Sequence, residues 1–182
     1  SNAGQTVESD GKKAEAPRVT TNDALGEAFL KDLEETHGYK LIYRNAKNNE
    51  ADAVYLQKNY LKFGKGSYEA GIVLPVMENI PAGEKLILAF DWSPMISGKH
   101  NYDKTQLVVL ATQNGKESEI ATLTHSQQSA DKMKWLHAEV TIDRITITKD
   151  TRITIRSKEW DAEQGSYRRW FLDNIKLKKA AE

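Results

Sequence analysis

Apolar and polar positions alternate along several short stretches of this chain. In residues 85–92, one phase is entirely apolar and consists of Leu86, Leu88, Phe90 and Trp92. In residues 135–142, the apolar phase is Leu136, Ala138, Val140 and Ile142. Successive side chains of a strand point to opposite faces, so this period of two predicts β-strands with one face buried in a core.

Further strands are predicted between turn signals along the rest of the chain. They are residues 53–56, 60–63, 70–77, 106–112, 120–123 and 152–156. Pro75 places its stretch at a sheet edge or strand end, because proline has no amide hydrogen to donate. Asn114-Gly115 between two apolar runs predicts a tight β-hairpin. Many strands with few helices between them indicate an antiparallel sandwich rather than a β-α-β sheet.

One short amphipathic helix is predicted near residues 22–37. Thr21, Asn22 and Asp23 offer N-cap side chains, and apolar residues follow at helical spacing. Gly38 can end the helix in a left-handed conformation. We interpret this helix as a plug that packs over an open end or edge of the sheets.

The last strand is predicted over residues 170–177, with an irregularity at Asp173-Asn174. Trp170 and Leu172 lie in one phase of the alternation, whereas Ile175 and Leu177 lie in the other. The two pairs share a face only if one extra residue is absorbed at Asp173-Asn174, as a β-bulge does. We therefore expect a bulge here, with Trp92 and Trp170 in the core.

Composition excludes several classes of function. The 182 residues suit one domain, and 26 basic residues balance 26 acidic ones without forming a basic stripe. A nucleic-acid partner or an anionic membrane surface is therefore disfavoured. The chain has no cysteine, which removes disulfides, thiol catalysis and cysteine-bound zinc. No apolar run approaches the roughly 20 residues that cross a bilayer.

The start of the chain predicts a leader. Residues 1–3 are typical of what remains after a purification tag is cut off, and residues 4–17 are mostly polar or small. We therefore expect a tag remnant and flexible leader over 1–17 and one domain over 18–182. A trimmed signal peptide would leave such a start, which predicts an extracellular or cell-surface location, with the periplasm as an alternative. Membrane contact is then expected only through a removed lipid anchor, although a cytosolic protein with a frayed start would look the same.

Four stretches resemble the galactose-binding-like jelly-roll family. They are residues 60–64, the turn over 74–83, the Leu-x-Leu-x-Phe-Asp-Trp strand at 86–92, and residues 151–155 with the Leu-Asp-Asn-Ile ending at 172–175. The resemblance implies an all-β, antiparallel jelly-roll sandwich and a non-catalytic sugar-binding or interaction module, as in surface lipoproteins of Gram-negative gut anaerobes. It also implies a structural calcium with Asp173 as a ligand. The simpler interpretation, which we favour, is that Asp173 accepts a backbone hydrogen bond at the bulge.

Candidate ligand-binding residues lie on one predicted strand face and in polar loops. Trp135 and His137 occupy the phase opposite the apolar one, and Arg152, Thr154 and Arg156 occupy the corresponding phase of a later strand, which we expect nearby. An aromatic ring with charged neighbours suits a hydroxyl-rich or anionic sugar. His100, Tyr102 and Trp160 lie in polar loops and are further candidates. The alternative for Trp135 is a half-buried packing role.

An enzyme is disfavoured. Residues 159–163 carry three carboxylates at alternate positions, as in retaining glucanases, but a Gly-Ser turn follows directly and a solvated loop explains them better. No histidine stands at a metal-ligand spacing from another. We therefore expect a non-catalytic module that binds a glycan. The alternative is a structural or adhesive module that contacts a surface protein and binds no sugar.

Overall fold

The structure is a computed structural model that describes residues 24–44, 54–57, 60–64, 69–76, 84–94, 106–124, 135–158 and 169–179. In these residues the chain forms one helix and ten strands. They are α1 (Ala24–Glu35), β1 (Lys40–Arg44), β2 (Val54–Gln57), β3 (Tyr60–Phe63), β4 (Glu69–Val73), β5 (Leu86–Pro94), β6 (Gln106–Gln113), β7 (Lys116–Thr124), β8 (Leu136–Ile142), β9 (Arg152–Ser157) and β10 (Trp170–Lys179). The predicted leader over 1–17 lies outside the described residues, so the predicted domain boundary stays a prediction.

The strands form two five-stranded antiparallel sheets. Sheet A has the order β1-β4-β9-β6-β7, and sheet B has the order β2-β3-β10-β5-β8. Strand β3 pairs with β10, β4 with β9, β5 with β8, and β6 with β7. The chain from β3 to β10 is thus a long antiparallel hairpin rolled into two sheets, which is the jelly-roll arrangement. The predicted all-β jelly-roll sandwich is confirmed.

The core lies between the two sheets and is built from the apolar phases that the alternation predicts. On β5 these are Leu86, Leu88, Phe90 and Trp92, all buried. Trp170 is fully buried and stacks on Phe63, with ring centroids 4.2 Å apart. At the far end of sheet A, Asn114 and Gly115 both have positive φ and close the β6–β7 hairpin, as their sequence predicts.

The bulge predicted in the last strand is present. On β10, Asp173 is paired with Asp91 and Lys176 with Ala89, so three steps along β10 match two along β5. Asn174 takes up the extra residue in the left-handed region, with φ 54°. The phase of the strand changes there, and Ile175 and Leu177 pack against the same core as Leu172.

Helix α1 closes one side of the sandwich. It contacts β1 and β2, which are the edge strands of the two sheets on that side, and Leu30 is buried there. Gly38 has a positive φ of 78°, and the Tyr39 amide donates to the Leu33 carbonyl at 3.2 Å, which ends the helix as predicted. The predicted N-cap residues lie outside the described part of the chain. Within that part, no helix is long and apolar enough to cross a membrane.

A pair of substitutions at Asn174 tests how the bulge is held. Asn174→Gly and Asn174→Ala both remove the side-chain hydrogen bond that this residue makes. Glycine adopts the positive φ without a steric penalty, whereas alanine keeps a Cβ in the left-handed region. Alanine should therefore be the less stable variant by roughly 1 kcal/mol in urea unfolding. The same pair at the exposed hairpin residue Asn114, with φ 50°, measures the backbone cost alone. Equal stability of the two Asn174 variants would show that the bulge is not formed in this conformation.

Candidate functional site

Three polar side chains meet on the outer face of sheet B, the side turned away from sheet A. Asp173, Asp91 and His137 stand side by side on β10, β5 and β8 because each is the register partner of the next. His137 Nδ1 donates to Asp91 Oδ1 at 2.8 Å, and the Asn174 side-chain amide donates to Asp91 Oδ2 at 2.8 Å. Asp91 is only 1% exposed, so these two donors compensate its lost hydration.

His137 is held between two carboxylates. Its Nε2 lies 3.3 Å from Glu139 Oε1, and its side chain is 9% exposed. Burial lowers the pKa of His137, but the hydrogen bonds and negative charges of Asp91 and Glu139 outweigh it, so the net pKa is raised above the ordinary value. Only the imidazolium can donate to both carboxylates, which is why the charged form is favoured.

Trp135 is not an exposed platform. It lies just before β8, is 7% exposed, and makes an edge-to-face contact with Tyr60 at 5.2 Å between ring centroids. Phe171 packs against both rings. The expectation that Trp135 offers an open face for ligand is therefore wrong, because neighbouring aromatic rings from β3 and β10 occupy that space. These contacts fit the half-buried packing role, which is the alternative that the sequence offers for Trp135.

Asp173 accepts a hydrogen bond within the bulge. Its Oδ1 accepts the backbone N–H of Asn174 at 2.9 Å, which confirms the predicted backbone role. Burial, together with the negative charge of Asp91, raises the pKa of Asp173. Among the described residues, no group of three or more acidic, histidine or cysteine side chains could hold a metal ion. Both oxygens of Asp91 already accept hydrogen bonds, so a calcium ion at Asp173 would need ligands from elsewhere in the chain, and it stays a prediction.

Arg156 lies on the opposite side of the molecule from His137. Strand β9 belongs to sheet A and β8 to sheet B, so Arg152, Thr154 and Arg156 face away from the Trp135–His137 side. The expectation that these two sets share a face is wrong. Strands that are consecutive in the sequence are placed in different sheets by the rolled hairpin.

A groove of about 530 Å³ runs along the outer face of sheet A. All five strands of the sheet contribute to its lining. The polar groups in it are Lys40, Thr112, Glu117, Arg152, Thr154 and Arg156. The volume falls in the range of sites that bind organic ligands. The described lining has three cationic side chains and one anionic side chain, which makes the groove a place for an anionic or hydroxyl-rich ligand.

The two arginines of the groove are oriented by backbone carbonyls. Arg152 Nη1 donates to the Lys149 carbonyl at 2.6 Å, and Arg156 Nη1 donates to the Ser157 carbonyl at 2.8 Å. Arg156 also lies 3.9 Å from Glu117 and is 17% exposed. Such anchoring lowers the entropy that a side chain loses on binding, because the guanidinium is already positioned.

Gly71 makes room for Arg156. It is the register partner of Arg156 on β4, and a Cβ at this position would lie 2.8 Å from the Arg156 Cβ and 2.8 Å from the Ile155 carbonyl oxygen. The need for glycine is therefore close approach rather than an unusual φ. This contact fixes the base of the Arg156 side chain at the middle of the groove.

Some predicted site residues lie outside the part of the chain that the structure describes. They are His100, Tyr102, Trp160 and the carboxylate cluster at 159–163. Conversely, no pattern in the sequence groups Asp91 with Asn174, or Lys40 with Glu117. A signal for Asp91 did exist, since a lone carboxylate in an otherwise apolar strand requires a buried partner.

Comparisons with known proteins give weak similarities. No protein-family model and no curated protein matches the sequence. Among solved structures, one titled Family 16 Carbohydrate Binding Module-2 has TM-score 0.42 and 14% identity, over 69% of this chain and 84% of that one. The K1 cleaved adhesin domain of Lys-gingipain from Porphyromonas gingivalis W83 has TM-score 0.42 and 14% identity, over 98% of this chain and 100% of that one. The N-terminal cellulose-binding domain of Cellulomonas fimi β-1,4-glucanase C has TM-score 0.41 and 15% identity, over 80% and 90%. At these values the matches assign neither a family nor a ligand.

The raised pKa of His137 predicts a pH-dependent contribution to stability. A histidine whose pKa is higher in the folded state contributes stability that is fully present below its ordinary pKa of about 6.5 and is lost as pH rises through the folded value. The difference in free energy of unfolding between the parent protein and His137→Gln should therefore shrink as pH rises above 6.5. Urea unfolding between pH 5.5 and 8.5 measures it, with Thr141→Ala on the same face as a control that does not titrate. A parent protein that gains stability over His137→Gln with rising pH would contradict the assignment.

Proposed function

We propose that this protein is a non-catalytic extracellular carbohydrate-binding module whose ligand lies in the groove of sheet A. The groove carries the proposal, because it brings two oriented arginines, two threonine hydroxyls and a carboxylate to one open surface. Hydroxyl-rich ligands need several donors and acceptors held in fixed positions. The groove extends across five strands, which suits an oligosaccharide better than a single sugar.

The charge of the groove indicates the class of glycan. Arg152, Arg156 and Lys40 face a single described carboxylate, Glu117. A guanidinium binds a carboxylate or sulfate through two parallel hydrogen bonds, which a neutral sugar cannot match. The proposed ligand is therefore a glycan that carries carboxylate or sulfate groups. Apolar side chains of Ile42 and Val73 line the same groove and can contact the C–H faces of sugar rings.

The proposal also states where the protein acts and that it catalyses no reaction. The protein acts outside the cell or at its surface, with the periplasm as the alternative, and reaches a membrane only through a lipid anchor. It binds its ligand without catalysing a reaction, and nucleic acid is not among its proposed partners. The loop residues His100, Tyr102 and Trp160 are retained as candidates for contacts at the edges of the site, and a structural calcium near Asp173 is retained as a prediction.

A second candidate is a surface module that binds another protein. The described lining of the groove has no aromatic ring, although aromatic rings are the usual partners of sugar faces. Instead it combines ionic groups with an aliphatic strip that ends at Val76, which is 55% exposed. Mixed aliphatic and ionic surfaces are typical of contacts between proteins.

Binding to an array of glycans separates the two candidates. We expect retention on polyuronic and sulfated glycans and none on neutral glucans or xylans. Arg152→Gln and Arg156→Gln should each weaken binding about tenfold or more in calorimetry, because each removes a charged hydrogen-bond donor. Arg144→Gln, an exposed arginine outside the groove lining, is the matched control.

The outcomes are distinct. If the protein binds neither acidic nor neutral glycans, sugar binding is refuted and the surface-protein module is the better candidate. Full affinity in a folded Arg152→Gln and a folded Arg156→Gln would refute the groove as the site even if sugars bind. Urea unfolding of each variant checks that it is folded.

A further inference from the structure

A second pocket, of about 170 Å³, lies between α1, β3 and the bulge of β10. It shares no lining residue with the groove of sheet A. A cavity of about 150 Å³ in another protein holds one benzene molecule, so a space of this size takes one ring or a stem of similar bulk. We call it the helix-side pocket.

The helix-side pocket is lined by aromatic and aliphatic side chains and by one carboxylate. Phe29, Tyr39 and Tyr60 supply three aromatic side chains, and Leu61 and Leu172 supply part of the aliphatic lining. Phe29 is 41% exposed, which leaves its ring accessible from solvent. Among the described lining residues, Asp173 is the one charged group.

The charge of Asp173 is not compensated within the described part of the chain. Its register partner on β5 is another carboxylate, Asp91, whose two oxygens accept hydrogen bonds from His137 and Asn174. Asp173 receives only the Asn174 backbone N–H, on Oδ1. No cationic side chain of the described residues pairs with it. Asp91 is paired with His137, so the negative charge at the polar end of this aromatic-lined pocket is that of Asp173.

We infer that the helix-side pocket binds a primary ammonium group carried on a short apolar or ring-shaped stem. The ammonium would donate to the Asp173 carboxylate, and the aromatic rings would attract the cation through their negative faces. The stem would fill the aliphatic part of the pocket. This site is separate from the proposed glycan groove, and neither inference depends on the other. A lysine side chain of a peptide and an amino sugar both present this chemistry.

Two matched pairs of small probes test the inference by NMR titration of the whole chain at pH 7. Nα-acetyl-lysine N-methylamide is compared with Nα-acetyl-norleucine N-methylamide, and glucosamine is compared with glucose. In at least one pair, the ammonium member should bind at least about tenfold more tightly, with amide shifts centred on Leu172 to Ile175. Which pair responds tells whether the natural ammonium comes from a peptide or from a sugar.

Variants assign the binding to the pocket. Asp173→Asn keeps the shape and an oxygen that can accept the Asn174 N–H, so it should fold, and it should lose the preference for the ammonium probe. Phe29→Ala, which truncates an exposed ring, should weaken the responding ammonium probe several-fold without unfolding the protein. Asp150→Asn, on an exposed turn, makes the same charge change elsewhere and should bind like the parent protein.

Three results would overturn the inference. One is equal binding of the charged and neutral members of both pairs, which would assign the pocket to hydroxyl or apolar groups. Another is no shift near Asp173 with either ammonium probe. The third is full ammonium affinity in folded Asp173→Asn.

Discussion

The structure depends most on the place of the last strand. Strand β10 lies in the middle of sheet B and pairs with β3 on one side and β5 on the other, so the sheet is completed only when the end of the chain enters it. Because of the bulge at Asn174, strand β10 presents apolar side chains to the core both before and after the bulge. They are Trp170, Leu172, Ile175 and Leu177. Asp91 ties this bulge to β8 by accepting from both Asn174 and His137.

The two outer faces consequently have different chemistry. On sheet B, the polar groups beside the bulge form hydrogen bonds with one another. Trp135 packs against Tyr60 and Phe171. On sheet A, Arg152 and Arg156 are anchored by backbone carbonyls and line an open groove. Polar groups that satisfy each other hold strands together, whereas polar groups on an open groove remain able to bind a ligand. Sheet A is for this reason the face on which we propose that the ligand binds.

Much of the fold follows from local patterns in the sequence. The alternation over 85–92 is the core phase of β5, Asn114-Gly115 is a hairpin turn, and the phase change at Asp173-Asn174 is a bulge. Each is local, because strand periodicity and turn conformation depend on adjacent residues. The site was harder to predict. Whether Trp135 is exposed depends on rings from β3 and β10, and whether β8 and β9 share a face depends on how the long hairpin is rolled, which nearby residues do not encode.

The placement of the ligand on sheet A can be tested most directly by mapping amide shifts during titration with an acidic oligosaccharide. Binding in the groove should perturb the amides of Gly71, Thr154 and Arg156, which lie on neighbouring strands at its centre. The amides of His137 and Glu139 on β8 should stay unchanged. Shifts confined to β8 and the Asp91 region of β5, with the centre of sheet A unaffected, would contradict this placement and move the binding face to sheet B.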